Sequence, residues 1–177
     1  MTIICGYIDQ SGKVWLGADS LVTGGDFIYP EPCRKIMQFG PWWLGIAGSG
    51  RSMQLASRSQ DDIAASTHPE DIVQILMDLW ALAGYKREEA RFGPPDYDQY
   101  ALLARKGELY TSSSNGILTT PSWGFMAIGS GMQIAYGAAY VARRLNDSGR
   151  EVVYNAVAAA CAMNTGCGGD LVIFPVE

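Results

Sequence analysis

The chain opens on a β-branched, apolar run, TIICGYI from Thr2 to Ile8, which predicts a strand turned back by Ser11-Gly12. KVWLGADS, Lys13 to Ser20, predicts its hairpin partner. Thr23 to Pro32 is rich in Gly and Pro and reads as a winding loop. RKIMQF and WWLGIAG then predict two strands joined by a short turn at Gly40-Pro41, and apolar runs of this kind suit strands covered on both faces. After Gly48-Ser49-Gly50 the period changes. SMQLASRSQDDIAAS predicts one helix, and PEDIVQILMDLWALAGY a second, with Ile72, Ile75, Leu76, Leu79 and Leu82 at helical spacing. Thr67 and Glu70 form an S/T-x-x-E capping box at its start. REEARFGPPDYD is a polar, Pro-bearing connection. QYALLAR, GELYTSS and the approach to WGFMAIGSG return to strand patterns. GMQIAYGAAYVARRL and REVVYNAVAAACAMN predict two more helices before the closing strand DLVIFPV.

Strands, two helices, strands, two helices and a last strand suggest an α+β domain with a pair of sheets between helical layers. At 177 residues the chain is expected to be a single domain, 1–177, with no repeat or linker. Apolar residues make up 48% and charged ones 18%, a composition that suits a packed core rather than a disordered chain. The formal charge of −5 argues against a nucleic-acid partner, which needs a Lys/Arg-rich face. No apolar run is long enough to span a bilayer, and no basic export segment precedes the first strand. A cytoplasmic setting is expected. The four cysteines, Cys5, Cys33, Cys161 and Cys167, form no CxxC pair and read as reduced thiols.

The single histidine, His68, falls in the first turn of the second helix, so catalysis through a Ser-His or Cys-His pair is not expected. A His-rich zinc site is excluded for the same reason. An N-terminal threonine needs no histidine. Met1 ahead of a residue as small as Thr2 is usually trimmed, and the Thr2 hydroxyl would then lie beside its own α-amine. That amine has an unperturbed pKa of about 7.7–8.0, which leaves it partly neutral near physiological pH. A lysine nearby would favour the neutral amine, and a carboxylate would orient the lysine. Lys35 and Asp19 fit these roles; without supporting motifs they would be read as a surface ion pair.

The flanking residues support the pairing. MTIICG, the GADS that holds Asp19, the RK that holds Lys35 sixteen positions on, GIAGSG around Gly48, and AIGSG ahead of a helix follow one another in order. In this the sequence resembles the proteasome β-subunit family, the N-terminal-nucleophile hydrolases that also include the HslV and Anbu peptidases. The resemblance covers nearly the whole chain, and the single methionine before threonine looks most like Anbu. It implies a four-layer αββα sandwich. It also implies a threonine-type endopeptidase with catalytic residues Thr2, Asp19, Lys35, Gly48 and Ser130. Thr23 would bind the substrate backbone, Ile46 would line the pocket for the residue before the cut, and Gly131 would carry the serine-glycine turn. No metal or organic cofactor is implied. The implied partners are a peptide or unfolded-protein substrate, further copies of the chain in a ring or helical homo-oligomer, and an ATPase unfoldase.

The late segment NTGCGGD departs from the family pattern, with Asn164 in place of an aspartate and Cys167 in place of a serine. Asn164 is expected to accept a hydrogen bond from Ser130 or the terminal amine without bringing charge. Some residues have simpler readings too. Ser130 could cap the helix that follows, Gly48 could serve only a turn, and Cys33 is expected to be inert. Trp42 and Trp43 read as core or subunit contact. If Met1 is retained, the same scaffold reads as a structural or assembly protein.

Overall fold

The computed structural model describes residues 2–24, 27–29, 32–84, 99–113 and 115–177. β1 (Ile4–Ile8) and β2 (Val14–Asp19) form the opening hairpin, with Ile4 opposite Ala18 and Ile8 opposite Val14. β10 (Phe125–Ile128) pairs with the far edge of β1, and β11 (Leu171–Pro175) with that of β2, giving the antiparallel order β10-β1-β2-β11. β5 (Ile36–Phe39), β6 (Trp42–Ala47), β7 (Tyr100–Arg105), β8 (Glu108–Ser112) and β9 (Leu118–Thr119) form a second antiparallel sheet in chain order.

Side-chain alternation divides each central strand between two cores. On β1 and the residue before it, Ile3, Cys5 and Tyr7 face α4 (Met132–Arg144) and α5 (Gly149–Met163), with Phe125 and Ala127 of β10 beside them. On β6, Trp42, Leu44 and Ile46 face α1 (Gly50–Arg58), α2 (Gln60–Ala65) and α3 (Pro69–Leu82). The intervening residues, among them Ile4, Leu16, Ala47, Leu102 and Met126, close between the two sheets. The result is the four-layer αββα sandwich expected from the order of elements.

Several local expectations change. Part of the stretch read as a loop forms a two-stranded ribbon, β3 (Val22–Gly24) with β4 (Phe27–Tyr29), in which Thr23 opposes Ile28. The single helix expected after Ser52 is two, divided at Ser59, which serves as C-cap of α1 and N-cap of α2. Thr67 does not cap α3. The helix starts with Pro69 at its first position and His68 as N-cap, the placement proline favours because its missing N–H is not needed there. α3 ends at Leu82, and Tyr85 and the polar connection from Arg87 to Asp98 lie outside the described residues. Trp42 is core; Trp43 is half-buried against Phe174.

The core makes one prediction about alkaline stability. Burial, with the Cys161 thiol as a second cause, pushes the Cys5 thiol well above the usual thiol range. The unfolded chain ionises Cys5 near pH 8.5 while the folded chain keeps it protonated, so folding binds the extra proton. Cys5 therefore contributes a loss of stability above about pH 8.5, of about 1.4 kcal/mol per pH unit. Urea unfolding of Cys5→Ala is expected to show a slope between about pH 9 and 10 shallower than the parent's by that amount. Parallel slopes would contradict it.

Candidate active site

Asp19, the last residue of β2, is 1% exposed and gathers the surrounding polar groups. Its backbone N–H donates to the carbonyl of Ile3 at 3.2 Å. Its Oδ1 accepts from the Ile3 N–H at 2.9 Å, from Lys35 Nζ at 2.6 Å and, at the outer limit, from Thr2 Oγ1 at 3.5 Å. Its Oδ2 accepts from the Gly168 N–H at 3.0 Å. The Asp19–Lys35 pair is not a surface contact: the side chains are 0% and 8% exposed. Thr2 and Lys35 thus meet on one carboxylate oxygen, reached from opposite ends of a strand-rich stretch of the sequence.

Ser130 closes the other side of Thr2. Its Oγ accepts from the Thr2 N–H at 3.3 Å, lies 3.5 Å from the Thr2 carbonyl oxygen and stands 3.9 Å from Cys167 Sγ. The Thr2 carbonyl also accepts from the Gly131 N–H at 3.3 Å. Ser130 does not cap α4; Gly131 holds the N-cap position, with no side-chain cap. Met1 lies outside the described residues.

Asn164 differs from expectation. Its Nδ2 donates to the Ser130 carbonyl at 2.9 Å, and its Oδ1 accepts from the Gly166 N–H at 2.9 Å. It is the C-cap residue of α5, in extended conformation, and the bond two residues ahead is an Asx turn. Asn164 thus braces the Ser130 main chain by donating to it, while its oxygen turns to Gly166 rather than to the Ser130 hydroxyl. Cys167 is 5% exposed; burial first, and the negative Asp19 second, raise its pKa and keep the thiol protonated beside Ser130. The same two causes push Cys161 up to about 11.

Two cavities flank Thr2 and share Gly48 and Ser49. One, of about 110 Å³, is bounded by Thr23 on β3, Cys33, Lys35, Ile46 and Met53. The other, of about 560 Å³, is bounded by Gln99, Tyr100, Gly129, Ser130 and Met132. Thr23 and Ile46 therefore both reach the small cavity, and Gly48 lies between it and the large one. Sequence reasoning did not single out Met53 or Gln99. Met53 carries only the ordinary signature of a helix residue, and Gln99 becomes visible only once the β6–β7 register is known. All four cysteines are free thiols. Among the described residues no group of three or more His, Cys, Asp or Glu side chains could hold a metal, and no helix is long and apolar enough to cross a membrane.

The fold is shared over the whole chain with solved proteasome-like structures, an HslV among them. The solved structures it is similar to include Thiobacillus denitrificans BPH, with 22% sequence identity, a TM-score of 0.80 and coverage of 100% of this chain and 98% of that one. Thiobacillus denitrificans BPH in complex with epoxomicin follows at 19% identity and a TM-score of 0.77, covering 99% of this chain and 98% of that one. Eukaryotic HslV from Trypanosoma brucei matches at 20% identity and a TM-score of 0.71, covering 99% of each. No family model matches the chain, and no curated protein matches it.

Proposed function

We propose that this chain is a threonine-type endopeptidase whose nucleophile is Thr2, exposed by removal of Met1. The observation that carries the reading is the meeting of Thr2 Oγ1 and Lys35 Nζ on one oxygen of buried Asp19, with Ser130 against the Thr2 nitrogen. Once Met1 is gone, that nitrogen is an amine. Directly or through a water, it takes the Oγ1 proton as the oxygen attacks the scissile carbonyl. Lys35 keeps positive charge beside the amine and favours its neutral form, and Asp19 holds Lys35 in place. The Gly48 N–H donates to the developing oxyanion, an interaction that commonly supplies several kcal/mol of transition-state stabilisation. The proton passes to the leaving amine, the acyl chain remains as an ester on Thr2, and water hydrolyses the ester to restore the hydroxyl. No step calls for a metal or organic cofactor.

The small cavity fits the side chain before the cut. Ile46 and Met53 offer it apolar walls, and Thr23, which also lines it, would bind the substrate backbone. The apolar groove on α4 and α5, bounded by Ile134, Val141, Leu145 and Met163, supports self-association into a closed or helical homo-oligomer that encloses the sites. An ATPase that unfolds and feeds protein substrates follows from the same reading, as does a cytoplasmic setting for four free thiols.

The test is intact mass followed by epoxomicin, the molecule bound in one of the similar structures. The expected result is loss of Met1 and one covalent adduct, mapped to Thr2 and absent in Thr2→Ala. Retention of Met1 in protein from its natural source would remove the activity and leave the scaffold reading.

A further inference from the structure

Gln99 is 4% exposed and directly precedes β7. Ala47 pairs with Tyr100, so the next step of the antiparallel register sets Gln99 across from Gly48. Its Oε1 accepts twice: from the Ser49 N–H at 3.0 Å and from Ser52 Oγ at 2.7 Å. Ser52 is completely buried in the first turn of α1. Gly48 itself has φ +137, a conformation side-chain-bearing residues rarely adopt, and the Gln99 amide fills the space a Cβ would need, with Cδ at 2.6 Å. The amide thus ties the end of β6, the turn through Ser49 and the start of α1 into one unit, and it blocks Gly48 from the side of the large cavity.

From this we propose that Gln99 is a positioning residue, holding the Gly48 N–H at the angle the oxyanion requires; the inference rests on the reading of Thr2 as nucleophile. A donor aimed at developing charge is effective only when it needs no rearrangement at the moment of reaction, and a shift of about 1 Å costs as much as about a hundredfold in rate. A single buried acceptor serving two donors in the turn directly after Gly48, with its amide packed against Gly48 itself, supplies that rigidity. Loss of the acceptor would leave the Ser49 N–H and the Ser52 hydroxyl without their partner, and the turn would relax around Gly48.

The experiment uses the full chain freed of Met1, with epoxomicin as probe and backbone amide exchange over residues 48–52 as a second readout. Gln99→Met conserves volume and removes the acceptor. Its maximal rate of Thr2 labelling is expected to fall at least about tenfold. Its half-saturating epoxomicin concentration should stay within about twofold of the parent's, and exchange over 48–52 should quicken. Gln99→Glu keeps an acceptor oxygen and is expected to restore slow exchange and part of the rate. Ser52→Ala touches neither cavity and removes one clamp partner; a severalfold slower maximal rate is expected there, which keeps the test open should Gln99→Met fail to fold. Labelling at the parent's rate in Gln99→Met or Ser52→Ala would overturn the inference. A parent chain that is never labelled at Thr2 would overturn the peptidase reading instead, while the exchange comparison still reports whether Gln99 holds the turn.

Discussion

Asp19→Ala is expected to lower stability by about 3–5 kcal/mol, because it strands a buried cation. Lys35 Nζ lies 2.6 Å from Asp19 Oδ1, and the lysine side chain is only 8% exposed, so water cannot replace the lost carboxylate without opening the structure. The same change removes the acceptor for the Ile3 and Gly168 N–H groups, which join the start of β1 to the turn before β11. The complementary change should behave differently. Lys35→Met leaves the Asp19 carboxylate with both backbone donors, which go on stabilising its charge. It is expected to cost less stability while slowing epoxomicin labelling of Thr2 by about 10²–10⁴-fold, the range for losing a group that governs proton transfer. Urea unfolding and labelling rates on the two variants, each freed of Met1, make the check. If Asp19→Ala unfolds within about 1 kcal/mol of the parent, the pair behaves as an exposed one. If Lys35→Met labels at the parent's rate, Lys35 does not tune the amine.

This asymmetry also explains which parts of the site could be read from the sequence. Asp19 and Lys35 sit at the ends of strand patterns, and a charged residue next to an apolar run stands out when its neighbours are GADS and RK. Thr2 stands out by its position. Gln99 does not, because the donors it serves, Ser49 and Ser52, lie 50 and 47 positions away, and only pairing of β6 with β7 brings them together. Asn164 does reach Ser130, but as a donor to its carbonyl, because Gly166 claims the Asn164 oxygen in an Asx turn that the pattern NTG does not reveal by itself.

The fold shows the same division. Layer order follows from apolar period, since β1, β6 and their neighbours bury alternate faces against helices and against each other. The β3–β4 ribbon escaped that logic. Ile28 is 62% exposed and Tyr29 48%, so their apolar character reflects no core face, and Thr23 meets Ile28 through the antiparallel pairing of the ribbon. The break between α1 and α2 is likewise a tertiary matter. Ser59 departs from helical geometry, with φ −106 and ψ 27, and Ala56 before it and Ile63 after it both reach the core beneath. A continuous helical period over Ser52 to Ser66 gives no sign of such a division.

Gly129→Ala is expected to be among the most damaging single-methyl additions in the chain. Gly129 has φ +97, and a Cβ there would overlap the carbonyl oxygen of Thr2 and lie 2.7 Å from its Cγ2. Strain in the backbone and overlap with a main-chain atom add, and neither is relieved by turning a side chain; together they are expected to cost about 2–4 kcal/mol. The easiest relief is movement of Thr2, yet Thr2 is held by Ser130, by the Gly131 N–H and by Asp19. Displacing it by about 1 Å would misplace the hydroxyl and the amine together and slow labelling by about 10²-fold. Urea unfolding measures the first effect. The second is measured by epoxomicin labelling at a temperature where unfolding shows the variant still folded, which separates a displaced nucleophile from a smaller folded fraction. Labelling there at the parent's rate would mean that Thr2 yields without losing its geometry, and that the contact with Gly129 does not set the position of the nucleophile.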